Sequence, residues 1–180
     1  KYGVGVDNID MEAAKELGIS ISRALGANSQ SVAEHTMALL LDLAKNVTRS
    51  TVSVRSGNWD KVYSTELYGK IIGIIGFGNI GKRVARMAQG FGMQVYAYDV
   101  FPIDPVYAEE NKIHIAELEE LLTSSDVVTV HLPLTDETEN LINAETMDLM
   151  KDSAYLINAA RGGIVNEQDL YQTLKNGKLA

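Results

Sequence analysis

The sequence lacks or is poor in several kinds of residue, and each shortage excludes a class of protein. It contains no cysteine, which excludes disulfides, thiol nucleophiles and cysteine-ligated metals. Its three prolines all lie between positions 102 and 133, so no proline-rich linker divides the chain. No apolar run approaches the roughly 18 residues that a membrane span needs. The longest candidate, residues 36–44, is interrupted by Asp42.

Basic residues are also scarce. The chain has 16 lysines and arginines against 24 aspartates and glutamates, a net charge of −8. This balance disfavours a general nucleic-acid binder, which is normally basic. A small anion can still bind, because local amide groups and one arginine can outweigh the global charge.

The composition is that of a folded globular protein, with 46% apolar and 22% charged residues in 180 positions. This length allows one well-cored domain. The chain opens on Lys1 and closes on an apolar turn, Lys178-Leu179-Ala180. We therefore expect residues 1–180 to be one domain cut from a longer protein. The lack of cysteine fits a reducing compartment, and we predict a cytoplasmic location with no membrane partner.

Apolar strand patterns alternate with helical patterns along most of the chain, which predicts βαβ units and a parallel sheet with helices on both faces. The predicted strands are 19–21, 71–75, 94–98, 127–132 and 154–158. The predicted helices are 10–17, 31–55, 79–89, 116–122, 143–150 and 166–176.

The longest predicted helix runs from Ser31 to Arg55. Ser31 and Glu34 form a capping-box pattern at its start. Apolar residues between positions 37 and 44 lie on nearly every side of it, so the helix must be covered all round. Two interpretations remain open, a central core helix or a helix with one face against a second copy of the chain in a homodimer.

A glycine-rich turn, Gly76-Phe77-Gly78-Asn79-Ile80-Gly81, joins the predicted strand 71–75 to a helix. In a dinucleotide site Gly76 permits the tight turn, Gly78 lets the backbone approach the pyrophosphate, and Gly81 lets the helix pack close to the strand. The amides and positive end of the helix face the phosphates. The fold predicted is thus α/β, a Rossmann-type doubly wound parallel sheet in a single domain.

The second strand ends at Asp99, which predicts the choice of cofactor. A carboxylate accepts both hydroxyls of the adenosine ribose and repels a 2′-phosphate. No basic side chain follows until Lys112, which favours NAD over NADP. An ATP-binding loop is excluded, because Arg83 stands where the serine or threonine that binds magnesium is needed.

Four ordered blocks, residues 3–10, 28–35, 76–81 and 158–163, resemble the D-isomer-specific 2-hydroxyacid dehydrogenases, especially phosphoglycerate dehydrogenases. Residues 131–134 are a softer match. The resemblance covers essentially the whole chain. A departure is Ala24-Leu25, where the family often has Thr-Pro, which bears on the shape of one cleft loop.

The resemblance implies that Arg161 binds the substrate. A guanidinium can grip a carboxylate or keto oxygen through paired bonds and stays charged. The alternative is a surface ion pair. The turn at Val4 and Gly5 would offer backbone amides to the substrate carboxylate, or serve as a plain hinge turn, or both.

The family also implies a set of cofactor contacts around the strand ends, although four of these residues could equally be packing residues. Leu132 and Pro133 would line the cofactor cleft, and Ala159 and Ala160 would lie beside the nicotinamide. The full set of implied cofactor-binding residues is Gly76, Gly78, Asn79, Ile80, Gly81, Asp99, Leu132, Pro133, Ala159 and Ala160. No metal site is implied.

The chemistry implied is hydride transfer between NAD and a D-2-hydroxy or 2-oxo acid, with D-3-phosphoglycerate as the leading substrate. In the family a histidine paired with a glutamate handles the proton, and both are expected beyond Ala180. We interpret His35, His114 and His131 as structural. We therefore expect this chain to bind NAD without turnover.

Two other functions remain open. One is an NAD-sensing regulatory module resembling the transcriptional corepressors of this family, which a downstream glutamate and histidine would argue against. The other is an NAD-dependent enzyme of another kind, such as an adenosylhomocysteinase-like hydrolase. The Asn-Ala-Ala-Arg-Gly block at 158–162 argues against the hydrolase.

Overall fold

The computed structural model describes residues 1, 5, 6 and 8–180. Their strands form one five-stranded parallel sheet with the order β3-β2-β1-β4-β5. The strands are β1 Ile71–Ile75, β2 Gln94–Tyr98, β3 Ile113–Ile115, β4 Val127–Val130 and β5 Tyr155–Asn158. This order, which runs outward from β1 in both directions, confirms the predicted Rossmann-type α/β fold.

Eight helices occur in the described part of the chain. They are α1 Met11–Glu16, α2 Ser29–Lys45, α3 Val47–Arg55, α4 Asn79–Gly90, α5 Pro105–Glu110, α6 Leu118–Ser124, α7 Ala144–Leu149 and α8 Glu167–Lys175. Buried residues of α2, α4 and α5 share one core cluster, and those of α6 and α7 share a second. The sheet thus carries helices on both faces, as predicted.

Strand β1 shows how the sequence supports both faces. Ile72 and Ile74 point into the core under α2 and α4, whereas Ile75 points into the core under α6 and α7. Side chains alternate between faces along a strand, so a strand covered on both sides must be apolar throughout. A Cβ at Gly73 would overlap Leu121 of α6, which shows how closely that helix packs.

The predicted helix 31–55 is wrong in two respects. It breaks at Asn46, whose φ of 53° is left-handed, so α2 and α3 are separate helices. The Asp42 carboxylate accepts a hydrogen bond from the Thr48 amide at 2.7 Å and stabilises the new start. The capping box also does not form: α2 begins at Ser29, and Glu34 instead accepts from the Gln30 side chain at 2.8 Å.

Three further differences concern short elements. Residues 19–21 do not form a strand, and Ile19 is 57% exposed. Strand β3 and helix α5 were not predicted. The other predicted elements, β1 and β2 among them, agree with the structure to within two residues at each end. None of the helices in the described residues is long and apolar enough to cross a bilayer.

Candidate cofactor and substrate site

The glycine turn follows β1 at the carboxyl edge of the sheet. Neighbouring atoms leave no room for a side chain at two of its glycines. Gly76 has a φ of 96°, and a Cβ there would lie 2.7 Å from the carbonyl carbon of His131. At Gly81 a Cβ would overlap the carbonyl oxygen of Gly76 and lie 3.1 Å from Ile74 Cγ2. Both positions therefore require glycine, for the tight turn and for helix–strand packing respectively.

Gly78 differs from these two glycines. It is exposed, it precedes the first residue of α4, and a Cβ there would meet nothing within 4 Å. Asn79 and Ile80 form the first turn of α4, Asn79 exposed and Ile80 half-buried. The bare backbone at Gly78 and the amide end of α4 thus leave open space for a phosphate group.

Asp99 follows β2 and is bonded directly to the glycine turn. The Phe77 amide donates to Asp99 Oδ2 at 2.6 Å, and the Phe101 amide donates to Oδ1 at 3.0 Å. The Gly76 amide donates to the Tyr98 carbonyl at 2.8 Å, so the two strand ends are joined by two bonds. Each carboxylate oxygen keeps capacity for a further donor.

Leu132 and Pro133 follow β4, the other neighbour of β1. Leu132 is 4% exposed, and its amide nitrogen lies 2.8 Å from where a Cβ of Gly76 would stand. Pro133 is exposed, and its carbonyl accepts from the Thr138 hydroxyl at 2.7 Å. This loop is therefore held against the glycine turn at the carboxyl edge of the sheet.

His131 precedes this loop and is the most perturbed titratable group near it. Its Nε2 lies 3.0 Å from Thr129 Oγ1. Its Nδ1 is buried and has no hydrogen-bond partner among the described residues. Burial lowers the pKa of His131 from 6.5 to about 4, so the ring is neutral at neutral pH.

The turn after β5 is held by a side chain rather than by close packing. Asn158 Oδ1 accepts from the Ala160 amide at 3.1 Å, and Asn158 Nδ2 donates to the Arg161 carbonyl at 2.8 Å. Ala159 and Ala160 are half-buried, and Arg161 is exposed. This role of Asn158 was not predicted, although an asparagine just before a turn is a residue whose side chain commonly bonds the turn backbone.

A cavity of about 640 Å³ lies between this turn and α2. Its lining residues are Asn28, Ser31, Val32, His35, Asn158, Ala159, Ala160, Arg161 and Gly162. The exposed His35 lines this cavity, and so does Ser31, which was predicted to cap the helix. The helical spacing of 31, 32 and 35 places them on one face, a signal that was present in the sequence.

Not all of the predicted site residues belong to the described part of the chain. Gly5 is described and half-buried, but Val4 lies outside the described residues. The role of the Val4-Gly5 turn therefore stays a prediction. His114, interpreted as structural, lies in β3, where its Nε2 is 2.7 Å from Glu120 Oε1. No cluster of metal-ligating side chains occurs in the residues that the structure describes.

The fold and the glycine turn together define a dinucleotide-binding domain. Comparison with known families makes this specific: residues 37–180 match the family described as D-isomer specific 2-hydroxyacid dehydrogenase, NAD binding domain. The chain belongs to that family and carries its NAD-binding domain.

Characterised relatives agree. The chain is 44% identical to the D-3-phosphoglycerate dehydrogenase of Methanocaldococcus jannaschii, over 99% of this chain and 34% of the relative. It is 42% identical to the hydroxypyruvate reductase of Thermotoga maritima, over 99% of this chain and 58% of the relative. This sequence is thus shorter than the relatives that it matches.

A solved structure of the same kind is the D-lactate dehydrogenase of Aquifex aeolicus, described as complexed with NAD and lactic acid. It superposes with a TM-score of 0.89 at 39% identity, covering 98% of this chain and 54% of that one. NAD as the cofactor, predicted from Asp99 and the glycine turn, agrees with the description of the family and with that of this solved structure.

Proposed function

We propose that this chain is the NAD-binding part of a D-2-hydroxyacid dehydrogenase, with D-3-phosphoglycerate as the leading substrate. The observation that carries the proposal is the hydrogen bond between Phe77 and Asp99, which joins the glycine turn to the ribose-binding carboxylate. Arg161 follows β5 at the same carboxyl edge of the sheet. Cofactor and substrate groups thus meet at one edge, where open parallel sheets bind ligands.

The described residues fit NAD. We assign the pyrophosphate to the open backbone at Gly78 and to the first turn of α4, the ribose hydroxyls to Asp99, and the nicotinamide to the side of the cleft with Ala159 and Ala160. Leu132 and Pro133 would line the adenosine side. Bound NAD supplies a hydride acceptor or donor at its nicotinamide ring.

Arg161 is the proposed substrate ligand. A guanidinium offers two parallel donors to a carboxylate or keto oxygen and does not deprotonate. The Asn158 side chain accepts from the Ala160 amide and donates to the Arg161 carbonyl, which holds the turn that presents Arg161. Backbone amides at Val4 and Gly5 are proposed to complete the carboxylate site. The proton-transferring histidine and its glutamate are proposed to lie in the parts of the family's chains that this sequence does not span.

Calorimetric titration of the 180-residue chain with NAD and NADP tests the proposal. We expect NAD to bind and NADP to bind more weakly, because Asp99 repels a 2′-phosphate. We also expect no oxidation of D-3-phosphoglycerate or D-lactate by this chain with NAD. Tighter binding of NADP would contradict the role of Asp99, and a normal enzymatic rate would contradict the division of the catalytic groups.

We further propose that residues 1–180 act as one domain and that two copies associate through residues 31–55 as a cytoplasmic homodimer. Helix α2 buries Leu40 and Ala44 against the core but leaves Leu43 41% exposed. Helix α3 buries none of its residues, and Val52 and Val54 are 58% and 53% exposed. Such an apolar surface favours a protein partner.

Sedimentation velocity of Leu43→Asp tests the dimer. A charge in an apolar interface is costly, so we expect the variant to sediment as a monomer at a concentration where the unmodified chain is dimeric. Leu174→Asp, at a 51% exposed position on α8, is the matched control and should stay dimeric. A dimeric Leu43→Asp would exclude this interface.

A further inference from the structure

A lysine contacts an aromatic pair that adjoins the proposed ribose-binding carboxylate, and it has no role in the site described so far. Lys82 Nζ, on α4, lies 4.5 Å from the ring centroid of Tyr107. Tyr107 packs edge-on against Phe77, with ring centroids 6.2 Å apart at 63°. The Phe77 amide donates to Asp99. A carboxylate, two rings and an ammonium group therefore form one contiguous set.

The two charges in this set have opposite effects on a bound phosphate group. Asp99 repels a phosphate on the adenosine 2′-oxygen, whereas an ammonium attracts one. From 99 to 111 the sequence offers no lysine or arginine, so the β2–α5 connection supplies no cation of its own. The cation of this set is instead Lys82 of α4, which contacts the Tyr107 ring.

The position of Lys82 allows it to move toward the ribose. Helix side chains lean toward the helix N-terminus, which at α4 is the glycine turn. The stem of lysine has four flexible carbons. Lys82 is exposed, and a cation–π contact at an exposed site is weak enough for a phosphate to displace it.

We propose that Lys82 is a specificity-determining residue for the cofactor, which rests on the proposed function above. The Tyr107 ring is the resting place of its ammonium group, and the 2′-phosphate of NADP is its ligand. The preference for NAD is then a balance in which Asp99 excludes the 2′-phosphate and Lys82 supplies what affinity for NADP the chain retains. At this position NAD carries only a neutral hydroxyl, which Asp99 binds and which offers Lys82 no negative charge.

Titration calorimetry with NAD and NADP separates these effects in four variants: Lys82→Met, Asp99→Asn, Asp99→Asn combined with Lys82→Met, and Asp99→Asn combined with Lys175→Met. The last is the matched control, because Lys175 also lies over a tyrosine, 5.9 Å from the Tyr171 centroid, but on α8. We expect Asp99→Asn to raise NADP affinity. Adding Lys82→Met should lower it again by about tenfold, the loss of one charge-assisted bond. Lys82→Met should leave NAD affinity within about twofold.

The outcomes are distinguishable. If the unmodified chain does not bind NAD, the proposed function fails and this inference fails with it. If NAD binds normally but NADP affinity in the Asp99→Asn chain is insensitive to Lys82→Met, or falls equally with Lys175→Met, the inference alone is overturned. Thermal unfolding of each variant verifies folding, and Asp99→Ser replaces Asp99→Asn if the latter is unstable.

Discussion

The two ends of the parallel sheet are built differently. At the amino ends of β1 and β4, Asp126 accepts from the Ile71 amide at 2.8 Å and from Lys151 Nζ at 2.9 Å, with Lys70 Nζ at 3.9 Å. At the carboxyl ends, Gly76 lies close against the backbone of His131 and Leu132 just after β4, and His131 Nδ1 is buried without a partner among the described residues.

This difference separates stability from binding. At the amino end the Asp126 carboxylate is bonded by groups of the chain itself. The carboxyl end keeps open backbone at Gly78, spare acceptor capacity at Asp99 and an exposed turn at Arg161. Substitutions at the amino end should therefore change the free energy of unfolding alone, whereas those at the carboxyl end should also change cofactor binding.

The largest expected effect is at Gly76. Gly76→Ala forces a side chain onto a residue with a φ of 96° and onto the backbone of His131. We expect NAD affinity to fall by roughly a hundredfold or more, because the turn must open to relieve the overlap. Calorimetry measures this loss.

Gly78→Ala is the control for folding at the same turn. Its Cβ meets nothing within 4 Å, so the unfolding temperature should match that of the unmodified chain while NAD binding weakens. Equal NAD affinity in Gly76→Ala and the unmodified chain would contradict the steric account.

The next effect is a pH dependence at the carboxyl end. The pKa of His131 is about 4 in the folded chain and 6.5 ordinarily. The unfolded chain therefore takes up a proton first as the pH falls from 6.5. We expect the free energy of unfolding to drop by about 3 kcal/mol between pH 6.5 and pH 4 from this group, and urea denaturation of His131→Gln should lack that drop.

His114→Gln, whose side chain on β3 is 49% exposed, is the matched histidine variant and should keep the drop. If His131→Gln has the same pH profile as the unmodified chain, the buried ring is not the cause.

The amino end should respond in a lower pH range. Burial raises the pKa of Asp126, but the Ile71 amide, Lys151 and Lys70 outweigh it and lower that pKa below 3.8. Its stabilisation is therefore complete above pH 3.8 and is lost as the pH falls through the lowered value. We expect Asp126→Asn to cost about 2 kcal/mol at pH 7 in urea denaturation, with unchanged NAD affinity.

The cost of Asp126→Asn should shrink on acidification below pH 3.8. Asp152→Asn is the control, because Asp152 faces Lys178 at 3.8 Å but its side chain is 88% exposed, so no measurable change is expected. Weakened NAD binding in Asp126→Asn would break the separation of the two ends.

The smallest expected effect is at the β5 turn. Asn158→Ala removes two hydrogen bonds at a partly solvated position, and we expect a loss of about 1 kcal/mol in urea denaturation. Asn158→Asp keeps the acceptor for the Ala160 amide and loses the donor to the Arg161 carbonyl. The stability of Asn158→Asp should therefore lie between those of the unmodified chain and Asn158→Ala. A loss equal to that of Asn158→Ala would assign the whole effect to the lost donor.

The sequence was most informative where one local pattern determined both structure and function. β1, β2 and the glycine turn follow from apolar runs bounded by glycine, and their bounds were predicted correctly. The break at Asn46 could not be read in this way, because no glycine or proline lies between residues 45 and 55 to mark it. It depends on Asp42 bonding Thr48 and on the Asn46 side chain donating to the Tyr63 carbonyl at 2.8 Å.

Contacts distant in sequence explain the other misses. Residues 19–21 have a strand-like composition, but they pair with no strand among the described residues. The cavity wall at Ser31 and His35 arises only when α2 lies opposite the β5 turn. The direct bond between Phe77 and Asp99 likewise requires the two strand ends to be adjacent.

The strand order also has a consequence for how the chain is made. β1 is the central strand, yet both of its neighbours are synthesised after it, and Ile72 pairs with Val127, 55 positions later. A nascent chain can pair the segment Ile-Ile-Gly-Ile-Ile with β2 first, but its other edge stays unpaired until β4 emerges. Such a run is prone to aggregate while it waits, because long-range parallel pairing forms slowly. Slow translation through residues 76–126 would lengthen that exposure, so the codons of this stretch, as much as its side chains, bear on the yield of folded protein.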